Sequence, residues 1–572
     1  MDSKDFTSGS GDGNGRQTTA ASPVMVVTTE LKAGTLSLPE VLMQNVAVIA
    51  PAIASLFYTP VVVGLAGLTS PLAYPIAFVI TLMLGMVLVQ FTKKMPAAGG
   101  YYTYISRSLH PRLGWLVAWL FILYAPTIGG IASLYMGNIL QQELRSNLGI
   151  NWPWFMAAFM IVVITGVALL QYRGIKISIK ALLVLGLIEM GLVVLLGIWA
   201  IANPGPGGVN FLSYNPALIA SQGGIAGFSL AVIFSLLAFV GWDGAAPLAE
   251  ETANPTKNVS RAVIGSIILL GVFLVLVTWA IIIGWGTSKI GSLASSTELP
   301  AVMVAKRVWG PLWWFILFAL LNSTVALVIA VCNMGTRLWY AMARSGSLPK
   351  VLTRVHPVYK TPVNTIILQW LVNLVTGLLL LWWLGVVNGY FYEIFVVGLA
   401  VLIIYAMGNI GVFFLYWRQY RSEFNIFYHV IFPVLSLAAL VWLGYELFNP
   451  FPMPPLVYAL PTLGIWLLIG VVILIVMRAR GKEEWLNKAG ESAFEVPESQ
   501  ISQASAQDRP EANIENATSP VERKNAGRDR DDRETDSEGC KAFEFPPELR
   551  PVPKSLEHIL RRRTISSLLA RH

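Results

Sequence analysis

Ionisable side chains are scarce in the long apolar stretches of this chain, and the few present are of types that do chemistry. Glu189 is the only ionisable group in ALLVLGLIEMGLVVLLGIWAI, residues 181–201. An acid at mid-membrane costs roughly 2.5–3.5 kcal/mol even on the cautious insertion scale, so it must face other helices rather than lipid. There it can carry a proton that moves with a solute, or stay neutral and bond a carbonyl or hydroxyl as helix glue. The two readings stand level. Asp243 sits in SLLAFVGWDGAAPLAEETANP, residues 235–255, where Gly241, Gly244 and Pro247 break an apolar run. It can meet a substrate amine, or cap a short helix starting near Gly244, and capping is the favoured reading. Glu250 and Glu251 follow at the end of that run, where a latch to a nearby Lys or Arg suits them, with Arg337 one candidate. Ser323 and Thr324 supply hydroxyls in another apolar run, most simply for bonds between helices.

Those groups act only if the backbone positions them, and the break is how it does so. A helix interrupted at membrane depth is tolerated only where it lines a cavity. A second interruption lies in NVAVIAPAIASLFYTP, where Pro51 is flanked by Ala50, Ala52 and Ala54. One proline alone reads as a kink. Two breaks in corresponding helices of two halves point to a transporter binding site. Amides left free near Ala52, Ile53 and Ala54 carry partial positive charge and suit a carboxylate. Carbonyls ending the upstream halves, near Ala50 and Phe239, suit an ammonium group. Phe239 and Trp242 are the aromatic candidates for a gate over such a site.

The elements that hold these breaks are membrane-length runs of about 20 apolar residues. Twelve are expected, over 39–65, 71–92, 113–141, 153–172, 178–202, 224–249, 260–286, 312–343, 362–385, 389–417, 427–448 and 456–478. Composition agrees: 55% of residues are hydrophobic and 13% charged, well away from a soluble average. The Lys and Arg residues fall in alternate loops. One set holds Lys93, Lys94, Arg107 and Arg112, then Arg173, Lys176 and Lys180, then Lys257 and Arg261. Arg344, Lys350, Arg354, Lys360, Arg418, Arg421, Arg478, Arg480 and Lys482 continue it. The other loops hold Arg145, Lys289, Lys306 and Arg307. The positive-inside rule with an even span count puts both termini in the cytoplasm.

The net charge of +8 therefore sits in loops and tail, and nucleic-acid binding is not expected. Two cysteines, Cys332 and Cys540, exclude a disulfide framework or zinc cluster, and no metal or cofactor is expected. Residues 1–35 and 481–572 are polar and expected to be disordered cytoplasmic segments flanking a 36–480 membrane domain. The last of these ends in SLEHILRRRTISSLLARH, which can lie on an anionic leaflet or be phosphorylated, or simply be a disordered end. The glycosylation triplets at Asn258, Asn322 and Asn516 fall at cytoplasmic or intramembrane positions and are not expected to be used.

Three segments carry a resemblance. FVGWDGAAPLAEETANPTKNVSRA has the Phe-x-Gly break, paired acids and Asn-Pro of the amino acid–polyamine–organocation superfamily. MPAAGGYYTYISRSLHPRLGWLVAW resembles its segment between helices 2 and 3, and TRLWYAMARSGSLPK its helix-8 ending. The resemblance covers residues 36–480 and implies an all-α polytopic fold. That fold is the leucine-transporter type, five plus five inverted helices with two peripheral ones. It implies that Glu189 faces a coupling pocket near helices 1 and 8. It also implies that Ser323 and Thr324 can complete a sodium site, so sodium stays open beside the proton. One departure stands out: IAPAIAS replaces the Gly-Ser-Gly-Ile often found at the first break.

The expectation is secondary transport of amino acids by alternating access, proton-coupled, in a multi-pass protein of the plasma membrane. An amine or polyamine transporter, or an amino acid exchanger, is the alternative; a non-transporting sensor or accessory protein is the alternative class. Enzyme function is not expected. No P-loop pattern points to an ATP-driven pump and no filter sequence to a channel. Which substrate, and what oligomeric state, the residues leave open.

Overall fold

Apolar runs interrupted by Gly and Pro fold here into helices alone. The computed structural model describes residues 31–489, apart from residues 297, 450, 451 and 482. Most of the two polar segments expected at the ends therefore lies outside the described residues, as do Cys540, Asn516 and the basic stretch 555–572.

The first expected span is α1 (Leu38–Ile49), α2 (Pro51–Leu56) and α3 (Tyr58–Ala66). The second is α4 (Ser70–Lys94), followed by a short α5 (Tyr101–Ser108). The third comprises α6 (Pro111–Tyr124) and α7 (Ile128–Leu148); α8 (Phe155–Arg173) and α9 (Ile175–Ala202) follow. The sixth is α10 (Gly224–Leu237), a turn, and a 3-10 segment at Ala246–Glu251. After it come α11 (Pro255–Trp285), α12 (Pro300–Trp309), α13 (Trp314–Arg344), α14 (Val363–Leu384) and α15 (Val386–Arg418). The series closes with α16 (Phe432–Glu446), α17 (Ala459–Ala479) and α18 (Trp485–Lys488).

Among the described residues, eleven helical segments are long and apolar enough to cross a membrane, not the twelve expected. The shortfall is the sixth span, whose α10 has only 14 residues before the chain leaves helical geometry. The break itself removes it from the count.

Burial sorts the helices into an inner and an outer set. The windows of α1–α2, α6–α7, α11 and α13 are mostly buried, whereas only about a third or less is buried in α8, α9, α14, α16 and α17. Exposed Leu, Ile, Val and Trp on the outer set suit lipid contact. The α1 helix runs through the middle, against α9, α11 and α13.

The basic loops share one end of the bundle. Lys94 pairs with Glu423 at 2.6 Å, Arg112 with Glu483 at 2.6 Å, and Gln419 donates to the Arg107 carbonyl. Thr361 donates to the Tyr172 carbonyl, adding the loop after α8. At the opposite end Arg307 bonds the carbonyls of Asn203 and Gly284, and Lys306 pairs with Glu298. The N-terminal approach also lies at the basic end, where the Thr35 and Leu36 amides donate to the Glu251 carbonyl.

Candidate functional site

The two breaks meet. The α1 helix ends at Ile49 and α2 restarts at Pro51, so the interruption is one residue, Ala50, with φ 55° and ψ 74°. Proline fits the first position of a helix because it lacks the amide that would go unpaired there. The restart is tighter than expected. The Ala54 amide is not free but donates to the Ala50 carbonyl at 2.8 Å. The Ala52 amide points at Glu189 Oε1, 3.4 Å away.

The sixth span breaks more widely. After Leu237 the chain passes through Gly241 at φ 121°, a conformation open to glycine. A Cβ on Gly241 would lie 2.5 Å from Val48 Cγ1, and one on Gly244 2.7 Å from Val48 Cγ2. Both glycines thus let the first broken helix press against the second. Asn45 joins them further: its Oδ1 accepts from the Ala245 amide at 2.6 Å, and its Nδ2 donates to Ser266 at 3.0 Å. Asn45 escaped the sequence reading, and its one signal was an adjacent pair of amides, Gln44 and Asn45, in an apolar run.

A cavity of about 90 Å³ lies at the junction. Ala50 and Ile53 reach it from the first break, Ala238 and Val240 from the second, and Tyr124 and Tyr390 from α6 and α15. Its remaining wall is largely aliphatic, and no charged side chain lines it among the described residues. The break turns alternate side chains away from this space. Phe239 is buried and stacks on Phe78 at 6.3 Å, and Trp242 packs on Tyr405 at 4.9 Å. Neither lines the cavity, so the aromatic positions beside it are tyrosines instead of the two residues expected.

The capping reading of Asp243 is overturned. Its Oδ1 accepts from the hydroxyls of Tyr124 at 3.0 Å and Tyr405 at 3.1 Å, while Oδ2 has no partner among the described residues. The 3-10 segment after it starts at Ala246, and Asn45 supplies the bond to the amide before it. Asp243 therefore sits one phenol away from the cavity, because two tyrosines compete successfully for its carboxylate. Both come from helices far away in sequence.

Glu189 is buried beneath the first break. Its Oε1 accepts from Ser323 Oγ at 3.0 Å as well as facing the Ala52 amide, and its Oε2 accepts from Asn322 at 3.3 Å. Asn322 also donates to the Leu185 carbonyl at 2.7 Å. Of the two expected hydroxyls only Ser323 joins this cluster; Thr324 bonds the Leu320 carbonyl of its own helix. Asn322, read from the sequence only as part of an unused glycosylation triplet, is the neighbour that completes the group.

At the basic end the sixth span is clamped to α13. Arg337 grips Glu251 through Nε at 2.8 Å and through a second nitrogen at 3.2 Å, both side chains almost fully buried. Arg344 grips Glu250 at 2.6 and 2.7 Å, and Glu250 also accepts from the Ala98 amide. Fork-on-carboxylate geometry of this kind fixes orientation as well as charge. Breaking one partner of such a buried pair is costly, about 3–5 kcal/mol.

Residues 42–477 match a family model described as amino acid permease. A serine/threonine exchanger of Bacillus subtilis is 24% identical over 302 residues, 51% of this chain and 64% of its own length. A branched-chain amino acid permease of Lactococcus lactis is 24% identical over 456 residues, 72% of this chain and 87% of its own. A low-affinity putrescine importer of Escherichia coli is 25% identical over 343 residues, 58% and 72% respectively. The chain thus spans just under two thirds of the exchanger.

Proposed function

Because this chain belongs to the amino acid permease family, a family of multi-pass membrane transporters and not of enzymes, we propose that it moves neutral, aliphatic amino acids by alternating access. The observation that carries this reading is the cavity at the paired breaks, walled by aliphatic side chains and three tyrosines and free of charged ones among the described residues. At roughly 10–15 Å³ per water-sized group, its 90 Å³ holds about six to nine such groups, the size range of alanine to leucine. A diamine would bury a second cation there with no facing carboxylate, which is costly. Asp243 does not line the cavity, and its carboxylate is already engaged by the hydroxyl of Tyr124, which does. That favours amino acids over polyamines, in keeping with the branched-chain permease rather than the putrescine importer among the relatives.

The backbone of the breaks supplies the head-group site. Carbonyls ending α1, at Val48 and Ile49, suit the substrate ammonium, and the start of α2, at Ala52 and Ile53, suits its carboxylate. Glu189 already occupies that start. Two carboxylates at one helix N-terminus repel, so substrate binding and protonation of Glu189 favour each other. By linkage the effect runs both ways. This is the proposed route of proton coupling, and Ser323 serves it as a hydrogen-bond partner of the acid. The basic end faces the cytoplasm of a plasma-membrane protein, with both termini on that side, as the loop charges support. The Arg337–Glu251 and Arg344–Glu250 pairs then form the inner gate.

Uptake by proteoliposomes tests the reading directly. Leucine, isoleucine, valine, alanine and putrescine are compared under imposed proton and sodium gradients. Accumulation of an aliphatic amino acid driven by inward protons is the expected result. Sodium-driven uptake, putrescine preference, flux that needs internal substrate, or no flux at all would each replace the proposal with a specific alternative.

A further inference from the structure

One more buried carboxyl, Glu393, takes no part in the site above. Glu393 lies in the first third of α15, seven residues in from Val386, about 10 Å below the non-basic end of that helix. It is only 6% exposed, and its Oε1 has no hydrogen-bond partner among the described residues. Thr127, which also lines the space beside it, donates its hydroxyl to the Leu123 carbonyl instead. An acid with a buried, unpartnered oxygen at this depth is expensive in a membrane protein and points to function.

Glu393 lies in the wall of a crevice of about 590 Å³ between α14, α15 and α17, within the range of small-molecule sites. One side of the crevice is formed by Val375, Leu379 and Trp383 of α14, which are roughly half exposed on the outer face of the bundle. It is therefore open to lipid. Aromatic rings crowd it: Trp383 meets Tyr392 edge-on at 5.4 Å, and Trp339 and Trp466 add two more indoles from the inner walls. The Tyr392 hydroxyl is already bonded to Thr462, and the Trp339 and Trp466 N–H groups to Gln369 and the Trp119 carbonyl. With these polar groups satisfied, the rings offer π surface, and the acid offers an oxygen without a hydrogen-bond partner among the described residues.

An acid among aromatic faces is the chemistry that selects a cation. An opening to lipid, with apolar walls, selects an apolar body. We propose that this crevice binds a membrane-dissolved amphiphilic amine, its ammonium against Glu393 and its chain along the lipid-facing side of α14. The site is separate from the transport cavity and does not depend on the transport reading.

Photolabelling of the full-length protein in liposomes tests this, using a diazirine-bearing long-chain primary amine and a fatty alcohol probe of the same length. The amine is expected to label peptides of α14, α15 or α17 around Trp383, Tyr392 and Trp466, and excess unlabelled long-chain amine is expected to compete. Glu393→Gln is expected to lower amine labelling about tenfold or more, the loss of one charge-assisted contact. Val375→Trp, which fills the crevice from its lipid side and leaves Glu393 in place, is expected to abolish it. The second variant decides the matter should Glu393→Gln fail to fold. Equal amine labelling of the variants and the unaltered protein overturns the proposal. So does an alcohol probe that labels as strongly and ignores Glu393.

Discussion

Replacing Glu189 by Gln isolates the coupling step. The carboxyl accepts from Ser323 at Oε1 and from Asn322 at Oε2; glutamine keeps the shape and the bond from Ser323, and gives up only the longer bond from Asn322. What the variant removes is the charge facing the Ala52 amide. With a substrate carboxylate at the same helix start, about 5 Å away, and an effective dielectric of about 20, the repulsion is ~3 kcal/mol. That corresponds to roughly a hundredfold in affinity between the protonated and ionised forms. The sign follows directly. Binding draws a proton onto Glu189, so affinity for the amino acid rises as pH falls. In Glu189→Gln the affinity is expected to be independent of pH and close to the acid-side value of the unaltered protein. Substrate should still exchange across the membrane, but without accumulating against its gradient. The assay is equilibrium binding of a radiolabelled aliphatic amino acid from pH 5 to 8.5, with proton movement followed by a pH dye in liposomes. A Glu189→Gln protein that keeps the pH-dependent affinity, or still takes up protons with substrate, refutes the reasoning.

Other perturbations have equally definite outcomes. Gly241→Ala puts a Cβ into Val48 at a positive φ and is expected to destabilise by about 1–3 kcal/mol or more, seen as a lower melting temperature in detergent. Arg337→Ala leaves Glu251 buried and unpaired, costing about 3–5 kcal/mol, whereas the double change Arg337→Met with Glu251→Leu should recover most of that stability. Accessibility of a cysteine at the basic end should still rise in the double variant, since the gate has lost its specific pairing. Ala238→Leu fills part of the cavity wall and is expected to raise the KM for leucine about tenfold or more while sparing alanine, read from initial uptake rates.

Helix positions were legible because a membrane span announces itself by length and by the absence of charge. All twelve expected runs coincide with helical segments, and the sixth fell short for the very reason that made it noticeable. Breaks were legible because Gly and Pro act locally: Pro51 restarts its helix, and Gly241 takes a backbone shape few residues adopt. Partners were not legible. Asn45 bonds a backbone amide 200 residues away, and Tyr124 and Tyr405 reach Asp243 across 119 and 162 residues. No spacing rule connects such positions, because helix packing brings them together. For that reason the capping reading of Asp243, built from neighbours in sequence, failed. Glu251 and Arg337 were named as possible partners, and there the structure joins the pair.

Asn45 has a mechanical consequence. Its bond to the Ala245 amide, together with the Val48 contact at Gly241, fastens the two interrupted helices to each other at the level of the cavity. Such a pair turns as one lever, and neither arm can tilt without carrying the other. The hinge for the motion must then lie where this lever meets the surrounding helices. Asp243, held by one phenol from α6 and one from α15, is a fulcrum of that kind. A covalent link within the lever should leave movement intact, while the same link placed from the lever to α15 should arrest it.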